Sequence, residues 1–195
     1  MKPIVRWTVT ALCILTTGHW SSAHELQVGR NNSNQVAMNI LGGQPFEIRE
    51  SELPGFDGFA AVDPGFVSLL EDDPNTGLFL LPQTSFIKFT LLGIDPGLQI
   101  WNDTGTAPMN VGETYTVGIP LFHTHPVWHI PSGAPGNVYA AQIQLFDQSG
   151  ILSPGPIYTL TFAAVPEPAT ISLVMLAALT AAYRQRRQRL APSSL

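Results

Sequence analysis

Apolar and polar positions alternate with a period of two through much of the middle of the chain. Over 138–146, Tyr139, Ala141, Ile143 and Leu145 fall on one face, and over 157–164 so do Tyr158, Leu160 and Phe162. Successive side chains of a strand point to opposite sides, so this alternation predicts two half-buried strands joined as a hairpin. Further strands are predicted over 35–41, with Val36, Met38 and Ile40 on one face, and over 66–70, 78–81, 86–94, 98–101, 114–117 and 121–125. The runs Asp72-Asp73-Pro74-Asn75-Thr76-Gly77 and Asp95-Pro96-Gly97 supply turn chemistry between them. No stretch of 24–164 keeps a period near 3.6 for three turns. Short strands with turn signals about every 8–12 residues predict one mainly β domain, an Ig-like or jelly-roll β-sandwich, without an internal repeat. The segment 46–64 breaks the pattern. It carries Glu47, Glu50, Glu52 and Asp57 among Pro54-Gly55, Gly58 and Asp63-Pro64, and it reads as a long loop with one helical turn.

Both ends of the chain are apolar without alternation. Lys2 and Arg6 precede an apolar run over 7–17, and Ser21-Ser22-Ala23 offers small residues at the positions a signal peptidase reads. This is the pattern of a signal peptide over 1–23, cut after Ala23. At the other end, Pro166 and Pro168 mark where extended chain stops and a helix can start. The run 171–183 has no charge, and Arg184, Arg186, Arg187 and Arg189 follow it with no acid among them. At about 1.5 Å per residue the run spans roughly 20 Å, short of a hydrocarbon core of about 30 Å. The arginine cluster orients it by the positive-inside rule, with the tail in the cytoplasm and the preceding domain outside. Arginine side chains and Tyr183 can reach the interface and extend a short span.

Val165-Pro166-Glu167-Pro168, the apolar run and the arginine cluster together resemble the PEP-CTERM sorting signal of bacterial surface proteins, over 165–189. The resemblance implies reading and cleavage by an exosortase, a membrane cysteine transpeptidase, with 190–195 left as a disordered tail. It implies an address, the cell surface or an extracellular matrix, in the company of extracellular polysaccharide. It implies no activity.

Charge sharpens the picture of the exported part. Over 24–164 there are three bases, Arg30, Arg49 and Lys88, against thirteen acids, a net of −10. The whole-chain value of −5 hides this, because six of the nine bases sit in the terminal segments. Three scattered cations cannot neutralise a phosphate backbone, so nucleic acid is excluded as a partner. Cations and basic surfaces fit the charge better. The single cysteine, Cys13, lies inside the predicted signal peptide and ahead of Ile14-Leu15, which is not the position a lipidated cysteine takes. The mature chain therefore has no thiol for disulfides, zinc ligation or nucleophilic attack.

Candidate chemistry concentrates in Phe122-His123-Thr124-His125-Pro126-Val127-Trp128-His129-Ile130. Three of the four histidines beyond Ala23 lie within seven residues. On a strand His123 and His125 share a face, and a turn at Pro126 would bring His129 round. Three imidazoles suit zinc or copper, with an acid from the 46–64 loop completing the shell. The alternative is that Phe122 and Trp128 anchor the core and the histidines mark a strand edge. His123-x-His125-x-x-Trp128-x-Ile130 followed by Pro135-Gly136-x-Val138-Tyr139 is similar to a β-rich module of bacterial surface-anchored proteins, some associated with zinc supply. Here Ile130 stands where that module has phenylalanine, and one additional residue separates Gly136 from Tyr139. The resemblance implies a sandwich fold and adds to the case for zinc.

Other signals are plainer. Asp73-x-Asn75-x-Gly77 has half the spacing of a calcium loop but no distal bidentate carboxylate, and reads as a turn. Glu50 with Glu52, and Asp72 with Asp73, are too close in sequence to specify a glycosidase pair, which spans roughly 5–10 Å across a cleft. No Gly-x-Ser-x-Gly elbow and no phosphate loop occurs. Trp101, Trp128, Tyr139 and Tyr158 could line a sugar platform, but large aromatics also fill sandwich cores. The expectation is a non-enzymatic exported protein with signal peptidase and exosortase as processing partners. Its alternatives are a zinc-binding protein using His123, His125 and His129, or a carbohydrate-binding or carbohydrate-acting one.

Overall fold

The computed structural model describes residues 24–131, 136–165 and Thr180. The expected signal peptide, the sorting residues Pro166, Glu167, Pro168, Arg184, Arg186, Arg187 and Arg189, the helix 171–183 and the tail 190–195 lie outside the described residues, Thr180 apart.

The protein is mainly β. Its strands are β1 (Glu25–Arg30), β2 (Val36–Ile40), β3 (Phe46–Arg49), β4 (Phe59–Ala61), β5 (Gly65–Ser68) and β6 (Ile87–Ile94). They continue with β7 (Gln99–Ile100), β8 (Thr114–Gly118), β9 (His123–Thr124), β10 (Trp128–Ile130), β11 (Val138–Asp147) and β12 (Ile157–Val165). Three sheets result, in the orders β2-β1-β5-β9, β4-β10-β7 and β3-β12-β11-β6-β8.

The predicted hairpin is the centre of the five-stranded sheet: β11 and β12 pair antiparallel from Val138↔Ala163 to Gln144↔Ile157. Its inward face is the alternating one, since Ala141, Ile143, Leu145, Leu160 and Phe162 are fully buried. Apolar residues from all three sheets join one core cluster. Phe66 of β5 stacks on Phe89 of β6 at 5.4 Å between centroids, and Phe89 on Tyr115 of β8 at 5.1 Å. Trp128 of β10 lies 4.5 Å from Phe162 of β12. These contacts tie each smaller sheet to the five-stranded one. Burying each such ring contributes roughly 1.5–3 kcal/mol.

The strands β1 and β10 form where alternation predicts none, and two further segments differ from expectation. The segment 46–64 is not simply a loop, because it contains β3 and β4. Phe46 and Ile48 are buried while Glu47 and Arg49 are exposed, and β3 runs parallel to β12 through Phe162↔Phe46 to Val165↔Arg49. Four residues of alternation among acids and glycines are too few to read as a strand without the partner. Only a reverse turn, Phe56 N–H donating to Leu53 O at 3.2 Å, replaces the expected helical turn. Conversely, 78–81 forms isolated bridges, Arg30↔Phe79 and Asp73↔Leu78, and no strand. There the Asp72 side chain takes the Leu80 N–H at 2.8 Å, so backbone that could extend a ladder is already satisfied.

Strand β2 is a sheet edge, and two of its outward donors are covered. Val36 N–H donates to Ser153 O at 3.0 Å, and Met38 N–H donates to the Tyr158 hydroxyl at 2.8 Å. Burial raises the Tyr158 phenol pKa, so it stays neutral and able to accept through the physiological range. Such cover protects an edge from pairing with another chain. Tyr158→Phe removes the acceptor and leaves the Met38 N–H unpaired. It is expected to cost about 1 kcal/mol, read as a lower urea midpoint at unchanged m; an unchanged midpoint would show that this bond is dispensable.

Candidate functional site

The histidine segment divides between two sheets. Phe122 is buried, and β9 then pairs with β5 through Val67↔His123 and Phe66↔Thr124. Phe66 and Thr124 face inward, and the Thr124 hydroxyl donates to Val117 O at 2.7 Å. His123 is therefore on the outer face. Pro126 and Val127 carry the chain across to β10, which pairs with β4 through Trp128↔Ala61 and with β7 through Trp128↔Ile100.

His123 and His125 come together. Their rings are 4.6 Å apart between centroids, and their Nε2 atoms approach to 3.1 Å. The His125 Nδ1 lies 3.0 Å from Val62 O. A carbonyl oxygen only accepts, so Nδ1 carries the proton and the His125 Nε2 presents its lone pair. His123 Nε2–H then donates to it. Asp63 Oδ1 stands 3.4 Å from the same Nδ1, and Glu25 Oε1 stands 3.6 Å from His123 Nε2. The ring of His125 lies over Gly65, where a β-carbon would meet its Cε1 and Nδ1 at 2.5 Å. A residue with a side chain at 65 would displace the imidazole from the site. Both histidine side chains keep access to solvent, at 53% and 34% exposure.

His129 does not join them. It is buried on β10, facing away from Trp128 and Ile130, and both its ring nitrogens are engaged. Nε2 donates to Asp57 O at 2.7 Å, and Nδ1 lies 3.0 Å from the Gln99 amide oxygen. Both partners are oxygens as placed, so a neutral ring needs the Gln99 amide turned to offer its NH2. Phe56 packs edge-on against His129 at 5.1 Å and against Trp101 at 4.8 Å. Gly58, at φ 82°, lets the 57–58 backbone lie against Ile130 O, which a β-carbon would meet at 2.6 Å. The side chain thus fastens the 51–58 loop over β10.

Among the described residues, no group of three or more His, Cys, Asp or Glu side chains is closed into a metal-holding arrangement. Asp63 is an acid of the 46–64 segment, while Glu25 and Val62 carry no sequence signal for the histidine pair. The β5–β9 pairing brings Val62 and Asp63, just ahead of β5, to the pair, and the parallel register Glu25↔Gly65 adds Glu25. Glu25 also borders a groove of about 510 Å³ with Glu71, Asp72 and Asp73 along it.

The remaining candidates serve the fold. Asp73 Oδ1 accepts from Asn75 N–H at 3.0 Å, and Oδ2 accepts from the Thr76 hydroxyl at 2.9 Å, which is turn chemistry. Trp128 is fully buried, and Tyr139 and Tyr158 pack against the core. Burial, with the Asp103 carboxylate adding, pushes the Tyr115 phenol up to about 12, far from acid–base use at neutral pH. Glu50 and Glu52 line a shallow depression beside Arg49 and Asp63. Of the sorting residues, Val165 is described: it closes β12, opposite Arg49. Among the described residues, no helix is long and apolar enough to cross a membrane. Comparison with family models, with curated proteins and with solved structures gives no match to this chain.

Proposed function

We propose that this chain is an exported bacterial surface or extracellular-matrix protein, non-enzymatic, delivered by its signal peptide and sorted through 165–189 by an exosortase. The observation that carries the reading is the order Val165-Pro166-Glu167-Pro168, uncharged apolar run, Arg184-Arg186-Arg187-Arg189 within one short terminal segment. Two features support it. Val165, the first residue of the motif, belongs to β12, the last strand among the described residues. The exported part is acidic and free of cysteine, which suits solubility outside the cell and needs no oxidising step.

The domain itself reads as an Ig-like or jelly-roll β-sandwich. The Phe66–Phe89 and Trp128–Phe162 contacts, which join inward faces of separate sheets over one core, favour that reading.

The sorting assignment is tested by replacing Pro166, Glu167 and Pro168 together with alanine in the full chain. The triple variant is expected to accumulate as uncleaved, membrane-retained protein, scored by immunoblot of membrane and released fractions. Processing at the parent level would remove the exosortase from the reading.

A second reading, an extracytoplasmic zinc-binding protein, is favoured by the His123–His125 contact at 3.1 Å between Nε2 atoms. It is compatible with the first, since an address and a ligand are separate properties.

A further inference from the structure

We propose that Glu25, His123 and His125 are the ligands of a divalent transition-metal cation of the zinc class, and that His129 is not one of them. This deepens the zinc-binding reading above and is independent of the sorting assignment.

The argument starts from the two nitrogens. Zinc–nitrogen bonds of about 2.05 Å with the nitrogens 3.1 Å apart subtend about 100° at the metal, and an opening of about 0.25 Å reaches the tetrahedral angle. The separation suits two ligands on one ion, and binding exchanges the His123–His125 hydrogen bond for two bonds to the metal. The third atom is placed almost as well. Oxygen and nitrogen on a tetrahedral zinc stand about 3.4 Å apart, and Glu25 Oε1 is 3.6 Å from His123 Nε2. The three side chains do not form a metal-holding group as they stand, so binding requires the glutamate to move toward both nitrogens.

The surroundings match what a metal-binding histidine needs. Val62 O holds the His125 Nδ1 proton, which directs the Nε2 lone pair at the site. Val62 O is the outer partner of the ring, and Asp63 Oδ1, at 3.4 Å from the same Nδ1, adds a negative charge beside it. Gly65 leaves room for the ring. On binding, His123 exchanges its Nε2 proton for one on Nδ1, so the ring stays neutral and its Nε2 lone pair turns to the ion. Two neutral imidazoles and one carboxylate leave a net +1 on a bound divalent ion. The acidic groove that Glu25 borders offsets this charge and draws cations in. Three protein ligands leave a fourth position for water. His129 is excluded because its two nitrogens are committed to Asp57 O and Gln99 on a different sheet.

The test is zinc uptake by the purified full chain in detergent, by calorimetric titration, with cobalt as the spectroscopic probe. The parent chain is expected to bind one ion, with visible cobalt bands of a four-coordinate nitrogen–oxygen site. Asp63→Asn removes a neighbouring charge but leaves the Val62 bond, so it is expected to weaken binding by less than about 10-fold. His123→Ala, His125→Ala and Glu25→Gln should each weaken it at least as much. All four positions are at the surface, and far-ultraviolet dichroism and the thermal midpoint check that the fold is kept. Uptake lost in both histidine variants but unchanged in Glu25→Gln would overturn the ligand set and leave zinc binding standing. Absent or unaltered uptake across the series would overturn both.

Discussion

Trp128→Ala is expected to lower the unfolding free energy by about 5 kcal/mol, enough to leave a small domain largely unfolded at moderate temperature. The side chain is fully buried where the three-stranded sheet meets β12, 4.5 Å from the Phe162 ring. Its β10 backbone pairs with β4 on one side and β7 on the other, so neither neighbour can collapse freely into the space it leaves. Truncating a buried aromatic to alanine costs roughly 3–5 kcal/mol through lost transfer energy and a residual cavity. A second cost comes from the indole N–H, which donates to Pro64 O at 3.0 Å in a buried position. Without it that carbonyl has lost its partner, worth about 1–3 kcal/mol. Trp128→Phe separates the two, because it keeps most of the volume and deletes the donor. It should cost about 2 kcal/mol. Urea unfolding followed by tyrosine fluorescence and dichroism reads both. A loss of about 1 kcal/mol or less for the alanine variant would mean that the three-stranded sheet is not anchored through this residue.

The second large effect is expected at Asp147, the last residue of β11 and only 6% exposed. Its Oδ1 accepts from Phe86 N–H at 2.8 Å and Ser149 N–H at 3.0 Å. Its Oδ2 accepts from Ile151 N–H at 3.1 Å and Leu152 N–H at 3.2 Å, and the Ser149 hydroxyl donates to the carboxylate at 2.6 Å. One side chain therefore joins the entry to β6 and the turn after β11. Bonds to a charged acceptor contribute about 1.5–3 kcal/mol each in isolation, but a shared acceptor does not sum them. A loss of about 3 kcal/mol is expected for Asp147→Ala.

The pH dependence identifies the charge as the cause. Burial, the largest single influence, raises the carboxyl pKa. The Ser149 hydroxyl and the amides of Phe86, Ser149 and Leu152 together outweigh it, so the folded value lies below the ordinary one. A depressed folded pKa contributes stability that is fully present above the unfolded value, about 3.9, and is lost as pH falls through the folded value. The stability gap between the parent and Asp147→Asn should be constant near neutral pH. It should narrow as pH falls below about 4. Urea midpoints for both proteins between neutral and acid pH measure this. A gap that stays constant into acid would show that shape, not charge, holds the turn.

These two residues show unequally in the sequence. Trp128 is readable as a core anchor from its large apolar side chain between Val127 and Ile130. Asp147 resembles any acid at the end of a strand, and its donors are distributed over 86–152. The longest strands were the most legible. β6, β11 and β12 run eight to ten residues, and their alternation stands out. β3 and β4 are four and three residues long within an acidic, glycine-containing stretch. Pairing with β12 and β10 makes them strands. β1 alternates Leu26 and Val28 inward, but two inward positions are too few to read as a strand without the partners β2 and β5.

The candidate site divided in the same way. Period-two geometry placed His123 and His125 on one side of the chain, and their rings do meet. The same reasoning could not follow the chain past Pro126, where it leaves one sheet for another and takes His129 with it. Val62 and Asp63 reach the pair from about 60 residues away through the β5–β9 pairing, and Glu25 from about 100 residues away through the parallel β1–β5 register.

By itself the sequence determined the mainly β class, the central hairpin, the acidic thiol-free composition of 24–164 and the shared face of His123 and His125. Those properties are local: they depend on side-chain alternation, turn residues and counted charges. Tertiary structure decided which short segments become strands, which acids serve as turn caps and which carboxylate stands beside the histidines. Those outcomes depend on pairing between distant segments, where a hydrogen-bond register fixes positions that no local pattern encodes.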